Sequence, residues 1–371
     1  MFYDSIHRRR VDPVYVTLSN VTLAPLDIRP PGGCHWYGQE PTVWITAPNF
    51  NHTRADSRRP AGHNGTSGGS PMRTFEVALL TDRRYAASSA AESDWYLGNI
   101  LADDRLLQEA LARRGVTSVR VDWADPAVDW SSFRCAVFRT TWDYFERFAE
   151  FTDWLGRVEC ETRLCNLAPA VRGNLDKHYL ADLAERGVPV VPTRFLERSS
   201  PQTLAAVLAE TGWDEAVIKP CVSGGAWHTY RVNRRTAAEF QPLLASLLAD
   251  ESMIVQPFQS EIIRTGEDSL VVFGGRYSHA VRKVAKRGDF RVQDDHGGTV
   301  DEYQPTGEQI ALAEQAVAAC HTVPVYGRVD MIRDNDGRLA VMELELIEPE
   351  LWLRYHPPAA ERFAECLVAF L

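Results

Sequence analysis

Three carboxylates stand close together late in the chain: Asp330, Glu343 and Glu345. Glu343 and Glu345 are two apart, so on a strand they point to one face. Between them and Asp330 lies Asp334-Asn-Asp-Gly337, turn chemistry that folds a hairpin and brings Asp330 close to cross-strand from the pair. Val329, Met331, Val341, Met342 and Leu344 mark the hairpin as mostly buried. Carboxylates on one buried face repel each other unless a cation sits among them, and an oxygen-only set favours Mg²⁺ or Mn²⁺ over zinc.

The cations come from a chain that uses lysine sparingly. Of 40 basic residues only Lys177, Lys219, Lys283 and Lys286 are lysines, so a retained ammonium marks a place for a compact charge. Lys219 closes the apolar run 215–220, shortly before Ser223-Gly224-Gly225. Backbone N–H groups in such a turn can cradle phosphate while the lysine neutralises its charge. Gln256-Pro-Phe258, after another apolar run, reads as a nucleotide hinge: backbone groups for the edge of adenine, Phe258 for its face. Lys283 and Arg291 supply further cations for a developing phosphoryl charge, and His296-Gly-Gly298 follows as an anion-facing loop. In the first half, Arg139-Thr-Thr-Trp-Asp143-Tyr144 reads as a loop directly after a strand. An arginine, an aspartate and two aromatics there suit a small zwitterion. Cys221 reads as a small buried residue, and His178, His279 and His321 lack the spacing of zinc ligands.

These side chains need elements to hold them. From Met72 the chain alternates apolar runs (75–80, 119–121, 136–138) with helical patterns (103–114, 148–158), which predicts a parallel sheet with ligands at the strand carboxyl ends. Residues 173–187 read as one amphipathic helix carrying Lys177, and 199–211 as another. Residues 270–273 and 277–284 form a predicted hairpin, 308–320 a helix, and 326–332 with 339–346 the acid-bearing hairpin.

From about Phe138 to Leu353 the chain resembles the ATP-grasp superfamily in its glutathione-synthetase/RimK-like branch. The resemblance is carried by Asn174-Leu-Asp-Lys177, Val217-Ile-Lys219-Pro-Cys-Val-Ser-Gly-Gly225, Val255-Gln256-Pro-Phe258, Gly288-Asp-Phe-Arg291, and Arg328-Val-Asp330 with Met342-Glu343-Leu-Glu345. It implies an α/β fold of the α+β ATP-grasp kind: an N-terminal parallel-sheet domain at 72–168, then two α+β subdomains at 169–255 and 256–371 with ATP between them. It implies that Lys177 and Lys219 hold phosphates, that Ser223, Gly224 and Gly225 form the mobile phosphate loop, and that Gln256 and Phe258 hold adenine with Glu261 on the ribose. Asp330, Glu343 and Glu345 would bind two Mg²⁺, and Arg291 would stabilise an acyl phosphate. The family usually ends its metal motif Glu-x-Asn, whereas this chain has Glu343-Leu-Glu345. Within the branch, Phe138-Arg-Thr-Thr-Trp-Asp-Tyr144 and Met342-Glu-Leu-Glu-Leu-Ile-Glu-Pro349 look most similar to the O-ureido-serine cyclo-ligases of cycloserine biosynthesis. The implied activity is ADP-forming C–N ligation of an amino-acid-like substrate, intramolecular in that group. Intermolecular ligation and non-catalytic ATP sensing are the alternatives.

Composition bounds the rest. The chain has 371 residues, net charge −10 and no apolar run long enough to span a membrane, which argues against general nucleic-acid or membrane binding. Seven scattered cysteines suit reduced thiols and a cytoplasmic location; a homodimer is a further expectation. Residues 1–71 hold 8 Pro and 7 Gly without periodicity and read as a disordered or dispensable leader before Met72.

Overall fold

The computed structural model describes residues 75–292 and 297–371. The expected leader, and His296 of the expected anion-facing loop, lie outside the described residues.

The first sheet is parallel. Its strands β1 (Val77–Thr81), β2 (Ser118–Asp122), β3 (Cys135–Thr140) and β4 (Arg163–Cys165) lie in the order β2-β1-β3-β4. Helices α1 (Trp95–Arg113) and α2 (Phe148–Val158) connect them. β1 and β3 are buried at every position, as expected of parallel strands covered on both faces. α1 starts where Asp94 accepts the N–H of Leu97, a side-chain cap.

The expected single helix at 173–187 is two. α3 (Ala168–Asn174) ends, a turn follows, and α4 (Tyr179–Glu185) begins. Tertiary bonds override the periodicity. The Asn174 side chain donates to Leu344 O and accepts from Leu346 N–H, while Lys177 N–H donates to Cys221 O instead of to a helical carbonyl. Lys177 therefore sits in a turn, not on a helix face.

The second sheet is antiparallel, with the order β5-β8-β6-β7: β5 (Arg194–Leu196), β6 (Glu215–Pro220), β7 (Tyr230–Asn233) and β8 (Met253–Pro257). One face is covered by α5 (Leu204–Thr211) and α6 (Ala237–Asp250). α5 is shorter than expected because Thr203 caps it. On β6 Ala216 and Ile218 enter that core, so the alternation turns Val217 and Lys219 to the other face.

After the short α7 (Glu261–Arg264) comes the third sheet, order β11-β10-β9-β12-β13, also antiparallel. Its strands are β9 (Glu267–Phe273), β10 (Arg276–Val284), β11 (Thr299–Glu302), β12 (Tyr326–Arg333) and β13 (Leu339–Glu345), with α8 (Gly307–Ala318) packed on the apolar face. The last helix, α9 (Pro358–Phe370), packs against α1 and shares a core with β1 and β3. Phe363 of α9 stacks on Phe273 of β9 with centroids 4.7 Å apart, tying the third sheet to the first. Truncating such a ring to alanine typically costs about 3–5 kcal/mol. Among the described residues no helix is long and apolar enough to cross a membrane.

Candidate active site

The acid hairpin forms as its sequence predicts, with one refinement. Asp330 pairs directly with Glu343 across β12 and β13. The register then shifts between Asp330 and Met331, leaving Met342 as an extra residue on β13. The bulge lets Met342 and Glu343, adjacent in sequence, both line the same cleft. Side-chain hydrogen bonds between the N-terminal half and the hairpin fix it in place. Asn166 donates to Tyr326 O and Leu346 O, Asn174 brackets Leu344 and Leu346, and the Tyr326 hydroxyl donates to Phe138 O and Ile347 O.

The cleft measures about 380 Å³ and is lined by the two antiparallel sheets and their loops, together with loop and α1 residues of the N-terminal part. The second sheet brings Lys219, Ser223, Gly224, Gly225, Gln256 and Phe258 to it, the third brings Asp330, Glu343, Glu345, Lys283 and Arg291, and Lys177 and Tyr144 come from the chain before them. Val217, Phe258, Phe290 and Met342 give it an apolar slot. The Arg231 guanidinium lies 3.7 Å from the Phe258 ring centroid, and Gln256 Nε2 donates to Thr193 Oγ1 at 2.9 Å. Gly224 must be glycine: a Cβ there would come 2.9 Å from Phe145 Cε1, while Gly225 has φ of +54°.

Charges interlock in the middle of the cleft. Lys177 Nζ donates to Ser223 O at 2.6 Å and lies 3.1 Å from Glu343; Lys219 Nζ lies 4.0 Å from the other Glu343 oxygen. Lys283 Nζ stands between Glu267 at 2.5 Å and Asp330 at 2.9 Å. Arg328 grips Asp330 with two hydrogen bonds, pairs with Glu345, and covers the Trp352 ring at 4.9 Å. Burial works against every one of these charges, so their partners decide the outcome. For Asp330, Arg328 and Lys283 outweigh burial and hold the carboxyl well below the usual carboxylate range. For Glu343, Lys177 and Lys219 outweigh it and hold the carboxyl at about 2. For Glu345, burial together with the charges of Asp330 and Glu343 prevails over Arg328 and lifts the carboxyl to about 7. Burial, then Glu345, pushes the Glu348 carboxyl well above the usual carboxylate range. Lys219 is lowered by burial and by Lys177 beside it.

Three expected site residues are not in this cleft. Arg139 belongs to β3, which runs two residues further than its apolar core suggests, and is buried with its Nε on Asp104 Oδ1 at 3.0 Å. Asp143 accepts from the indole of Trp123 at 2.7 Å and from Arg147 at 2.8 Å, inside the N-terminal domain. Glu261 opens α7 and pairs with Arg264 at 2.5 Å, while its neighbours Gln259 and Ile262 face the cleft. Of the zwitterion loop only Trp142 and Tyr144 reach it.

Other lining residues were missed. Arg328 shares a strand face with Asp330 by simple alternation, and that signal was readable. Glu267 lies outside any motif and becomes visible only through the sheet register, while Glu348 stands in the 342–349 run but carries no assigned role there. Tyr85, Tyr96 and Trp142 make an aromatic wall, with ring centroids 5.4–6.0 Å apart. They come from separate segments, so no local pattern announces them.

The donors fit the groups that such a cleft implies. Among the described residues seven carboxylates line the cleft, Glu146, Glu267, Asp330, Glu343, Glu345, Glu348 and Glu350, against six cations, Arg84, Lys177, Lys219, Lys283, Arg291 and Arg328; the carboxylates are all oxygen donors, and Glu267, Glu345 and Glu348 are pushed toward the protonated form by burial among like charges. A hard divalent cation relieves that surplus, which suits Mg²⁺. The apolar slot, the lysines and the glycine turn suit a purine nucleotide and its phosphates.

Comparisons with known proteins agree with this chemistry. A model of the N-terminal domain of D-cycloserine synthetase DcsG matches residues 77–166, and one of the RimK-like ATP-grasp domain matches 217–348. The chain is 40% identical over 277 residues to the cycloserine biosynthesis protein DcsG of Streptomyces lavendulae, covering 70% of this chain and 91% of that one. It is similar to the crystal structure of D-cycloserine synthetase DcsG, with TM-score 0.69 and 35% identity, over 79% of this chain and 99% of that one. D-alanyl-alanine synthetase A of Vibrio cholerae shares the fold at TM-score 0.55 and 15% identity, over 80% of this chain and 97% of that one.

Proposed function

The chain belongs to the RimK-like ATP-grasp ligases, in the group that holds D-cycloserine synthetase, and from that membership we propose that this ATP-dependent ligase closes a ring within an amino-acid-like substrate. ATP use and a small-molecule substrate go with the family, as Mg²⁺ typically does. The observation that carries the finer reading is the cleft itself: it joins a nucleotide slot, a charged centre and an aromatic wall from the domain that matches the D-cycloserine synthetase N-terminal model.

In this reading Phe258, with Gln256, holds adenine, and Lys177, Lys219 and the Ser223–Gly225 turn hold the phosphates. Asp330, Glu343 and Glu345 hold two Mg²⁺, whose chemistry when bound is to neutralise the phosphate charge. Residues 72–168 present the substrate through Tyr144 and the aromatic wall, while 169–255 and 256–371 close on the nucleotide from either side. A substrate carboxylate oxygen attacks the terminal phosphorus and ADP leaves. Arg291 spreads its planar fork over the resulting acyl phosphate. Lys283, shared with Glu267 and Asp330, adds a cation beside it. A nitrogen of the same molecule then attacks the carbonyl carbon, and phosphate departs with the carboxylate oxygen. Positioning and charge carry the phosphoryl step, which explains why the site is built of interlocked ions. A net charge of −10 fits work on a small polar molecule in the cytoplasm.

Glu343→Gln tests the reading. It removes a charge without changing shape, so the fold should stand while substrate-dependent ADP formation falls on the order of 100-fold, about 3 kcal/mol. Residual activity should need more Mg²⁺. Wild-type Mg²⁺ dependence in the variant would contradict the assignment.

A further inference from the structure

We propose that Asp176, His178 and Cys221 form a second cation site, one for a thiophilic divalent ion of the zinc type. The three come from two segments, the turn between α3 and α4 and the chain just after β6, so the spacing of histidines and cysteines in the sequence gives no sign of them. The fold brings one oxygen, one nitrogen and one sulfur together, all within 4.8 Å of one another. His178 Nδ1 is hydrogen-bonded to Asp176 Oδ1 at 2.5 Å, a bond that a shared ion replaces. Its other nitrogen, Nε2, lies 3.1 Å from Glu197 Oε1. An imidazole that binds metal through one nitrogen commonly passes the other N–H to a carboxylate, which fixes the tautomer and raises ligand basicity. The ring is also held in plane by Phe195, stacked at 4.3 Å.

Access and charge agree with the geometry. Asp176 and His178 are partly open to solvent, while Cys221 closes the floor with 1% exposure. Burial, then the charges of Asp176 and Glu197, pushes the Cys221 thiol up, so an ion bound there displaces its proton. A mixed oxygen, nitrogen and sulfur set selects zinc-like ions over Mg²⁺, which prefers oxygen alone. The site is distinct from the acid hairpin, with Lys177 standing between the two. Lys177 N–H donates to Cys221 O at 2.9 Å and its Nζ to Ser223 O at 2.6 Å. An ion held by Asp176 and Cys221 ties that turn to the start of the phosphate loop.

Cobalt(II) reports on such a site, because a thiolate ligand gives a charge-transfer absorption that oxygen ligands do not. The full chain, in excess Mg²⁺ to occupy the acid hairpin, should take up one equivalent of Co²⁺ with that absorption. Zn²⁺ should displace it. Cys221→Ser should abolish the absorption with the fold intact, His178→Ala should weaken Zn²⁺ binding at least tenfold, and Glu343→Gln should leave both unchanged. Co²⁺ uptake without the thiolate band, a band that survives Cys221→Ser, or displacement by Mg²⁺ would each overturn the proposal.

Discussion

Arg291 lines the cleft with its guanidinium set by Asp289, the two meeting at 2.8 Å. Asp289 takes the Nε and Nη2 edge of a planar group shaped to meet two oxygens, which an ammonium cannot match. Arg291→Lys should lower kcat by about 10²–10³ while ATP affinity, read by titration, changes little. Equal losses in both would make Arg291 a ground-state binder. Asp143 offers the opposite case. Its carboxylate satisfies the buried Trp123 indole and Arg147, so Asp143→Ala should cost about 2 kcal/mol in denaturant unfolding and leave substrate KM within about twofold. A large rise in KM at unchanged stability would return Asp143 to the substrate site. At this scale the sequence was readable where side-chain period decides the face, as for Asp330, Glu343 and Glu345. It misled where a strand end was set two residues short. Extending β3 through Thr140 keeps Arg139 in the sheet, bound to Asp104 of α1.

Elements were legible in type and less so in extent. α2 and β6 coincide with their expected bounds, because a strong apolar pattern is framed by turns. The stretch 173–187 breaks in two because Asn174 and the Lys177 backbone find partners far along the chain, which periodicity cannot see. The bulge on β13 is equally silent in sequence, since it is set by pairing with β12. β10 carries its own pH dependence. His279 is buried, its Nε2–H donating to Leu351 O at 2.7 Å with His356 stacked 5.5 Å away, and burial holds its imidazole neutral down to about 4. The unfolded chain takes up that proton first, near pH 6.5. Stability is therefore full above about pH 6.5 and declines as pH falls through 4, by on the order of 3 kcal/mol. Urea unfolding at about pH 7 and pH 4 should show a smaller acid loss for His279→Gln than for the wild type. Parallel profiles would contradict the assignment.

At the scale of the molecule, the parallel sheet was visible in advance from its alternation of strands and helices, whereas the two α+β units after it were expected only from the resemblance. The return of α9 to the first sheet was not: an amphipathic helix names no partner, and its stacking of Phe363 on Phe273 is a fact of tertiary packing. The aromatic wall emerges only when loops and α1 of the N-terminal part meet the two antiparallel sheets at one cleft. The whole account rests on that cleft passing phosphate from ATP to a substrate carboxylate and then closing the ring. The most direct measurement gives the enzyme ATP, Mg²⁺ and O-ureido-serine labelled with ¹⁸O in its carboxylate, and follows nucleotide, phosphate and product by mass. The account predicts ADP only when the substrate is present, with one labelled oxygen carried into phosphate for each cyclic product released. AMP with pyrophosphate, or a cyclic product accompanied by unlabelled phosphate, would contradict it.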